Sequence, residues 1–491
     1  MKNKNTLKSL ALAFLLLAGS ACDQFEVDNL NPDVATSIDN NPELLLTNFI
    51  SNSVRRTVGD AWSEGNLMAQ YGARIVFTAF DLFEWGSQSG TWESHYLAIR
   101  DAKELEKIAI ATENPSYEAV SVIWQAWLFQ ILTDVYGDIP YSEASLANAE
   151  EPVYTPAYDA QEAIYMGLLE DLKRANALLS QANLPSIKGD ILFDGDLDKW
   201  RKFANSLRLR VAMRLSNVAP AVAEANISEI AGKPDQFPAM SSNNDNAVLT
   251  FLSSNPNSHP ITEESVYRVG SFNEYRISET VEGLLREFDD PRLFFWADPT
   301  ANSVAEGNPM WSGMQNGIVD GPAYVYKGGD AFLSKFNTAY FFFSPNSNQG
   351  RLMIYSEVAL IFAEAAMRGW INIDGQESYE NGVAANFEYW GVEMPEDYLQ
   401  RPGVTYTGQL EPIANQKYLA LFYTDYQGFI EYKRTGFPNE IAPGPDAFLP
   451  NYPSRFLYPS KEAALNGVNR QEAISRQGPD ELSTPVWWEG K

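Results

Sequence analysis

The sequence predicts a mainly α protein built from tetratricopeptide-like helical hairpins, about four units, with an irregular, loop-rich second half. Three observations predict it. First, Leu352, Tyr355, Val358, Ala359, Phe362, Ala365 and Ala366 recur at three- and four-residue spacing and form one apolar helical stripe that ends at Gly369. Asp374 then stands three residues before Glu377, a capping-box spacing, and opens a second helix through Tyr379, Val383, Phe387 and Trp390. Neither helix can bury its stripe alone, so the hairpin must stack on others like it. Second, three upstream stretches repeat the theme: 122–136 with Trp124, Trp127, Leu128 and Ile131, 158–179 with Ile164, Leu168 and Leu172, and 200–215 with Phe203, Leu207 and Val211. Third, the stretch 219–351 breaks repeatedly into Gly-, Asn-, Ser- and Pro-rich loops. No clean 34-residue period survives, so the repeats are inferred from pairing and not from a motif.

At the N-terminus, Lys2, Lys4 and Lys8 precede an apolar run from Leu10 to Ala18, then Gly19, Ser20 and Ala21, then Cys22. A charged start, a short apolar run and small residues make an export signal over 1–21. The chain's only cysteine directly after them makes it a lipoprotein signal, with Cys22 as the acylated (palmitate-bearing) residue. More than one acyl chain gives stable anchoring. Residues 22–41, with Asp23, Glu26, Asp28 and Pro32, read as an acidic tether. One domain is expected over 42–491.

Within it, 42–58 is an amphipathic helix through Leu44, Leu45, Phe49 and Val54, and 67–77 has a helical pattern too. From Thr78 the pattern breaks into Phe80, Asp81, Phe83 and Trp85 followed by Gly86 to Gly90, a place where ligand-facing rings are expected. Residues 92–109 resume as helix, and His95 within them is expected to be a packing residue. Gly137 ends the helix of 122–136. Asp194, Asp196 and Asp198 resemble the start of a calcium loop, but the later glycine and glutamate are missing, so they are expected to cap the helix ahead of Trp200. Arg201, Arg208, Arg210 and Arg214 are expected to form a solvated or carboxylate-paired face. Residues 278–288 form a short helix inside the loop-rich insertion. From about 400 to 491 one helix is expected, 413–427, followed by Pro-punctuated irregular chain ending in Trp487 and Trp488.

The chain has a formal net charge of -28, which excludes nucleic acid as a partner, because phosphate binding needs clustered Lys and Arg. One cysteine rules out an intramolecular disulfide and a Cys-rich zinc site, and only two histidines, far apart in sequence, argue against a His-based triad or a His-rich metal site. No phosphate loop, dinucleotide fingerprint or nucleophile elbow is present, and no cofactor or metal is expected. Two carboxylates among the 64 Asp and Glu would suffice for a glycosidase, so a surface glycosidase or peptidase stands as the alternative. What the sequence supplies in quantity is rings in polar loops, which is binding chemistry for a sugar face.

Several stretches carry a family resemblance. They are T-D-V-Y-G-D-I-P-Y-S-E-A from Thr133, K-W-R-K-F-A-N-S-L-R-L-R-V-A-M-R-L from Lys199, D-P-R-L from Asp290, Y-S-E-V-A-L-I-F-A-E-A-A-M-R-G-W from Tyr355, E-Y-K-R-T-G-F-P from Glu431, S-R-F-L-Y-P-S-K-E-A from Ser454 and T-P-V-W-W from Thr484. The chain resembles the SusD/RagB family of outer-membrane nutrient-binding lipoproteins, close to its SusD-like second subgroup. The resemblance implies a single domain on four tetratricopeptide units. It implies anchoring on the outer membrane facing the exterior, and docking as a lid on a SusC-like TonB-dependent transporter. It also implies delivery of an oligosaccharide, or in some members a peptide or other nutrient, without catalysis. The ligand cradle it implies lies at Phe80 to Trp85 and from Trp296 to Tyr340, with Arg74, Asp81, Phe83, Trp85, Trp311 and Tyr324 as the expected ligand-binding residues.

Overall fold

A computed structural model describes residues 41–147, 151–252, 254, 257–261, 272–337 and 348–490. The export signal, Cys22, the tether as far as residue 40 and the aromatic run 340–343 lie outside these residues. Helices longer than eight residues are numbered here.

The first of them, α1 (Pro42–Asp60), buries Leu46, Phe49, Ile50 and Val54 along one stripe. The expected helix over 67–77 is not formed. The chain instead passes through a π-type turn at Ala61–Gly65 and a short turn at Asn66–Met68, then enters strand β1 (Gly72–Arg74). Tertiary contact overrides the local period there. A side chain at Gly65 would run into the Asp425 carbonyl, and one at Gly72 would meet the Phe336 ring at 3.2 Å.

The stack follows as α2 (Ser89–Ala111), α3 (Pro115–Tyr136), α4 (Gln161–Leu179), α5 (Leu197–Arg214) and α6 (Pro220–Gly232), each packed on the next. Their ends are set by side chains that take up free helix N–H groups. Asn114 accepts from the N–H groups of Ser116 and Tyr117, and Asp196 from those of Asp198 and Lys199, so the D-G-D-L-D run is a cap. Gly137, at φ +83, closes α3 with its N–H on Thr133. His95 is buried, with Nδ1 2.8 Å from the Thr91 carbonyl oxygen.

Strands β2 (Ala247–Thr250) and β3 (Tyr275–Ile277) lie within the loop-rich insertion, and α7 (Glu279–Glu287) starts from a Ser278 cap. Strand β4 (Gln349–Met353) pairs antiparallel with β2. The helix expected from Leu352 therefore starts later, as α8 (Tyr355–Met367), because Leu352 is taken into that ladder. Its partner α9 (Gly375–Trp390) begins at the Asp374 cap and lies so close that a side chain at Gly382 would meet Leu360 Cγ at 2.8 Å. The single helix expected over 413–427 is two, α10 (Leu410–Ala420) and α11 (Gln427–Thr435). Farther on, Ser460–Leu465 and α12 (Gly467–Gln477) are helical where irregular chain was expected.

The hairpins α2–α3, α4–α5 and α8–α9 make a mainly helical, tetratricopeptide-like scaffold. Charged pairs sit inside it. Arg210 meets Glu357 at 2.6 Å, Arg208 meets Glu229 at 2.6 Å, and Arg214 lies 3.4 Å from Asp134, so three of the four arginines on α5 are buried and carboxylate-paired. Arg434 bonds Glu364 at 2.5 Å and also Glu431. Their attraction is undiluted by water, which holds both carboxyls below the usual carboxylate range against the opposing effect of burial.

Candidate ligand-binding site

Three loops meet away from the helical stack. The residues after β1, the segment between β3 and β4, and the stretch 444–448 are sewn together by main-chain groups. β1 pairs antiparallel with β3 in the register Gly72 with Ile277 and Arg74 with Tyr275. Asp446 N–H donates to the Gly317 carbonyl at 2.9 Å, and Phe448 N–H donates to that of Leu82 at 3.1 Å. Thr78 N–H donates to Asp320 at 2.8 Å. Beneath them lies a small core of its own: Ala73, Ile75, Met314, Ile318, Ala323 and Leu333. Such a satellite cluster fixes a loop platform independently of the main core.

Asp81 is the hinge-pin of this platform. It is buried, accepts the Arg74 N–H at 2.9 Å and the Asn316 side-chain N–H at 2.7 Å, and Asn316 also donates to the Gly72 carbonyl at 2.8 Å. Burial pushes its carboxyl up to about 6, while the bonds from Asn316 and Arg74 hold it down from going higher. Arg74 is half-buried, bonds Glu274 at 2.6 Å and lies 4.9 Å over the Tyr275 ring.

The six expected ligand residues do not share one environment. Tyr324 is 57% exposed and Trp311 is half-buried, stacked obliquely on the exposed Phe294 at 4.6 Å with its indole N–H on the Ala297 carbonyl. Phe83 and Trp85 are in the core. Trp85 is 2% exposed and ringed by Phe80, Phe83, Phe429, Tyr452 and Phe456, so neither of its faces is offered to a ligand. That removes the expectation that these two rings face outward. Phe83 itself takes a left-handed backbone, φ +72, and packs edge-on against both Trp85 and Tyr452.

Other rings take the exposed positions. Phe77 is 63% exposed and itself left-handed, φ +56, and Phe332 is 41% exposed. A phenylalanine rarely adopts that backbone. No periodicity or composition signal distinguishes Phe77 from Phe80 or Phe83 in the sequence. Trp296, also in the implied cradle, is fully buried, stacked on Phe422 at 4.0 Å.

Phe77, Tyr324 and Phe332, and in part Trp311, thus put rings at the surface of these loops. Clefts lined wholly by described residues lie elsewhere, one of about 570 Å³ between α2, α3 and α4, another of about 610 Å³ beside α1. Exposed aromatic faces are what a sugar ring packs on, while the 570 Å³ cleft is lined largely by ion-paired side chains such as Arg174 with Glu106. Among the described residues no group of three or more His, Cys, Asp and Glu is placed to hold a metal ion. No helix among them is long and apolar enough to cross a membrane.

Comparison with known proteins follows the same lines. Residues 33–459 match a family described as starch-binding and associating with the outer membrane. A SusD homolog from Bacteroides fragilis is 30% identical and superposes with a TM-score of 0.76 over 92% of this chain and 99% of that one. An outer membrane protein of Bacteroides vulgatus, described as involved in nutrient binding, is 28% identical with a TM-score of 0.78 over 91% and 99% of the two chains. A chitin-binding protein is 26% identical with a TM-score of 0.77 over 91% and 99%. No curated protein matches.

Proposed function

This chain belongs to the SusD-like family, and from that premise we propose that it captures a nutrient oligosaccharide at the cell surface and delivers it to a SusC-like TonB-dependent transporter. The observation that carries the reading is the set of exposed rings, Phe77, Tyr324 and Phe332, held on loops that a satellite core and Asp81 make rigid. Ring faces pack on the C–H faces of sugars, and a rigid platform loses little entropy on binding. The chitin-binding neighbour and the starch-binding description of the family support a glycan over other nutrients. The proposed address is the outer membrane, facing the exterior, through acyl groups on Cys22. Arg74, Trp311 and Tyr324 are proposed as ligand contacts, and Asp81 as the residue that positions them. Phe83 and Trp85 support the platform from within.

The reading makes the protein a binder and not a catalyst. Glu64, half-buried and beside Asp60, is the carboxyl to watch in the opposing reading: burial, and then repulsion from Asp60, push it up to about 8, where a carboxyl is a proton donor at neutral pH. Incubation with starch and chitin oligosaccharides separates the two. Retention in affinity gels with no product is expected. Product formation that Glu64→Gln abolishes would make the protein a glycosidase, and no retention on any glycan would end the glycan reading. Metabolic labelling with palmitate, present in the native chain and lost in Cys22→Ala, tests the address.

A further inference from the structure

The described residues include eight buried arginines. Seven of them hold a carboxylate in ion-pairing range, as Arg292 holds Asp290 at 2.6 Å and Arg455 holds Asp480 at 2.8 Å. Arg351, on β4 and 3% exposed, holds none among the described residues. Its guanidinium lies among rings instead. The Cζ atom is 4.3 Å from the Trp390 ring, 5.1 Å from that of Tyr389 and 5.5 Å from that of Tyr423. Nε donates to the Tyr389 hydroxyl at 2.5 Å, and that hydroxyl donates in turn to Gln349 at 2.9 Å. Both Nη atoms are buried and meet no acceptor.

A further donor lies in the same neighbourhood. His259 is 2% exposed, and its ring stacks on Tyr423 with centroids 6.3 Å apart, so His259 and Arg351 both pack on that ring. The Ile261 N–H donates to His259 Nδ1 at 3.3 Å. Nδ1 is therefore the acceptor, and the neutral imidazole carries its proton on Nε2, which is buried and meets no acceptor. Burial, then Arg351 and Arg55, push this imidazole down to about 3, so it is neutral near pH 7. The surroundings of Tyr423 thus hold one full positive charge and three buried nitrogens whose N–H groups are unmet.

We propose that Arg351 holds a small monovalent anion of halide size on its two Nη groups. Ring faces attract a cation, but they take up no in-plane N–H group and carry no net charge. Water would give each donor an oxygen and still leave the charge unmet. A guanidinium out of water without a counter-charge is destabilising, and the seven carboxylate pairs show how this fold meets that elsewhere. The size follows from the burial. With the side chain 3% exposed and three rings within 5.5 Å, a monatomic ion displaces far less of the packing than a ligand with an organic body.

Melting of the full chain at constant ionic strength, with sodium chloride replacing sodium gluconate, tests this. The native protein should melt about 2 °C higher in chloride, and saturably, the scale for one filled site in a chain of this length. Arg351→Met, which keeps the apolar stem and removes the charge, should melt at one temperature in both salts. Arg100→Met, which removes an exposed cation, should keep the native difference. Should Arg351→Met misfold, bromide soaked into crystals of the native protein decides by anomalous scattering, with a peak expected in contact with both Nη atoms. The proposal is overturned by equal melting of the native protein in the two salts, by a chloride increment that survives in Arg351→Met, or by the absence of a bromide peak at Arg351. The site uses none of the exposed rings, so this reading and the glycan reading can fail separately.

Discussion

Trp85 stacks on Phe80 with ring centroids 5.6 Å apart and donates its indole N–H to the Phe80 carbonyl at 3.1 Å. The pair ties the loop after β1 to the scaffold from inside. Phe83, Phe429, Tyr452 and Phe456 close the cluster around the indole. Trp85→Ala should therefore act on stability, costing about 3–5 kcal/mol as a buried ring is lost and its cavity left behind. Chemical denaturation reads this directly. Full stability with weakened glycan binding would put the indole back on the ligand side.

Tyr324 makes the opposite case. Its ring is 57% exposed and contributes little to packing, so Tyr324→Ala should leave the melting temperature unchanged. Glycan affinity should fall by about 1–2 kcal/mol, the scale of one lost ring contact with its buried area. Phe77→Ala should behave likewise, and a double variant should lose more than either. Calorimetry with the glycan that is retained best in gels measures all three.

How far these roles could be read from the sequence differs by link in the chain. The stripes of α3, α4, α5 and α8 and the caps at Asp374 and Asp196 were legible, because helical period and cap chemistry are local. The strand at Gly72 and the late start of α8 were not, because pairing with Tyr275 and Val248 lies far away in sequence and overrides the local pattern. Which rings on the two expected loops would stand exposed was not legible. Phe80, Phe83 and Trp85 look alike to Phe77 and Tyr324 in composition, and which ring meets water is decided by partners distant in sequence, such as Phe429, Tyr452 and Phe456 around Trp85.

Asn316 tests the platform without touching its rings. Its side-chain N–H groups reach both Asp81 and the Gly72 carbonyl. Asn316→Ala leaves a buried carboxylate with one donor fewer, a loss of about 1–3 kcal/mol. Glycan affinity should weaken as well, since the loops bearing Phe77 and Tyr324 lose a shared anchor, and hydrogen exchange at 314–320 should quicken. Unchanged exchange there would show that the satellite core alone holds the platform.

Glu64 sets a pH dependence whose sign can be worked out. Burial first, and repulsion from Asp60 second, raise its carboxyl from 4.5 to about 8, with Ser63, Arg56 and Arg74 opposing. The folded protein then holds a proton that the unfolded chain gives up, so the associated stability is complete below about pH 4.5 and is lost as pH rises through about 8. Asp60, Asp81 and Asp425 shift the same way but only up to about 6, and His95 and His259, pushed down by burial to about 4 and about 3, stay neutral in the fold at any pH above that. Both imidazoles take up a proton on unfolding near their ordinary value of 6.5 and oppose this slope below about pH 7, so between about pH 7 and 8 Glu64 contributes most to the slope among these. Unfolding free energy should fall across that window, by no more than about 1.4 kcal/mol per pH unit for one proton. Glu64→Gln, which keeps the shape and removes the titration, should flatten the profile. A native profile that is already level from about pH 7 to 8, or a variant that keeps the native slope, would show that this carboxyl is ionised in the folded protein.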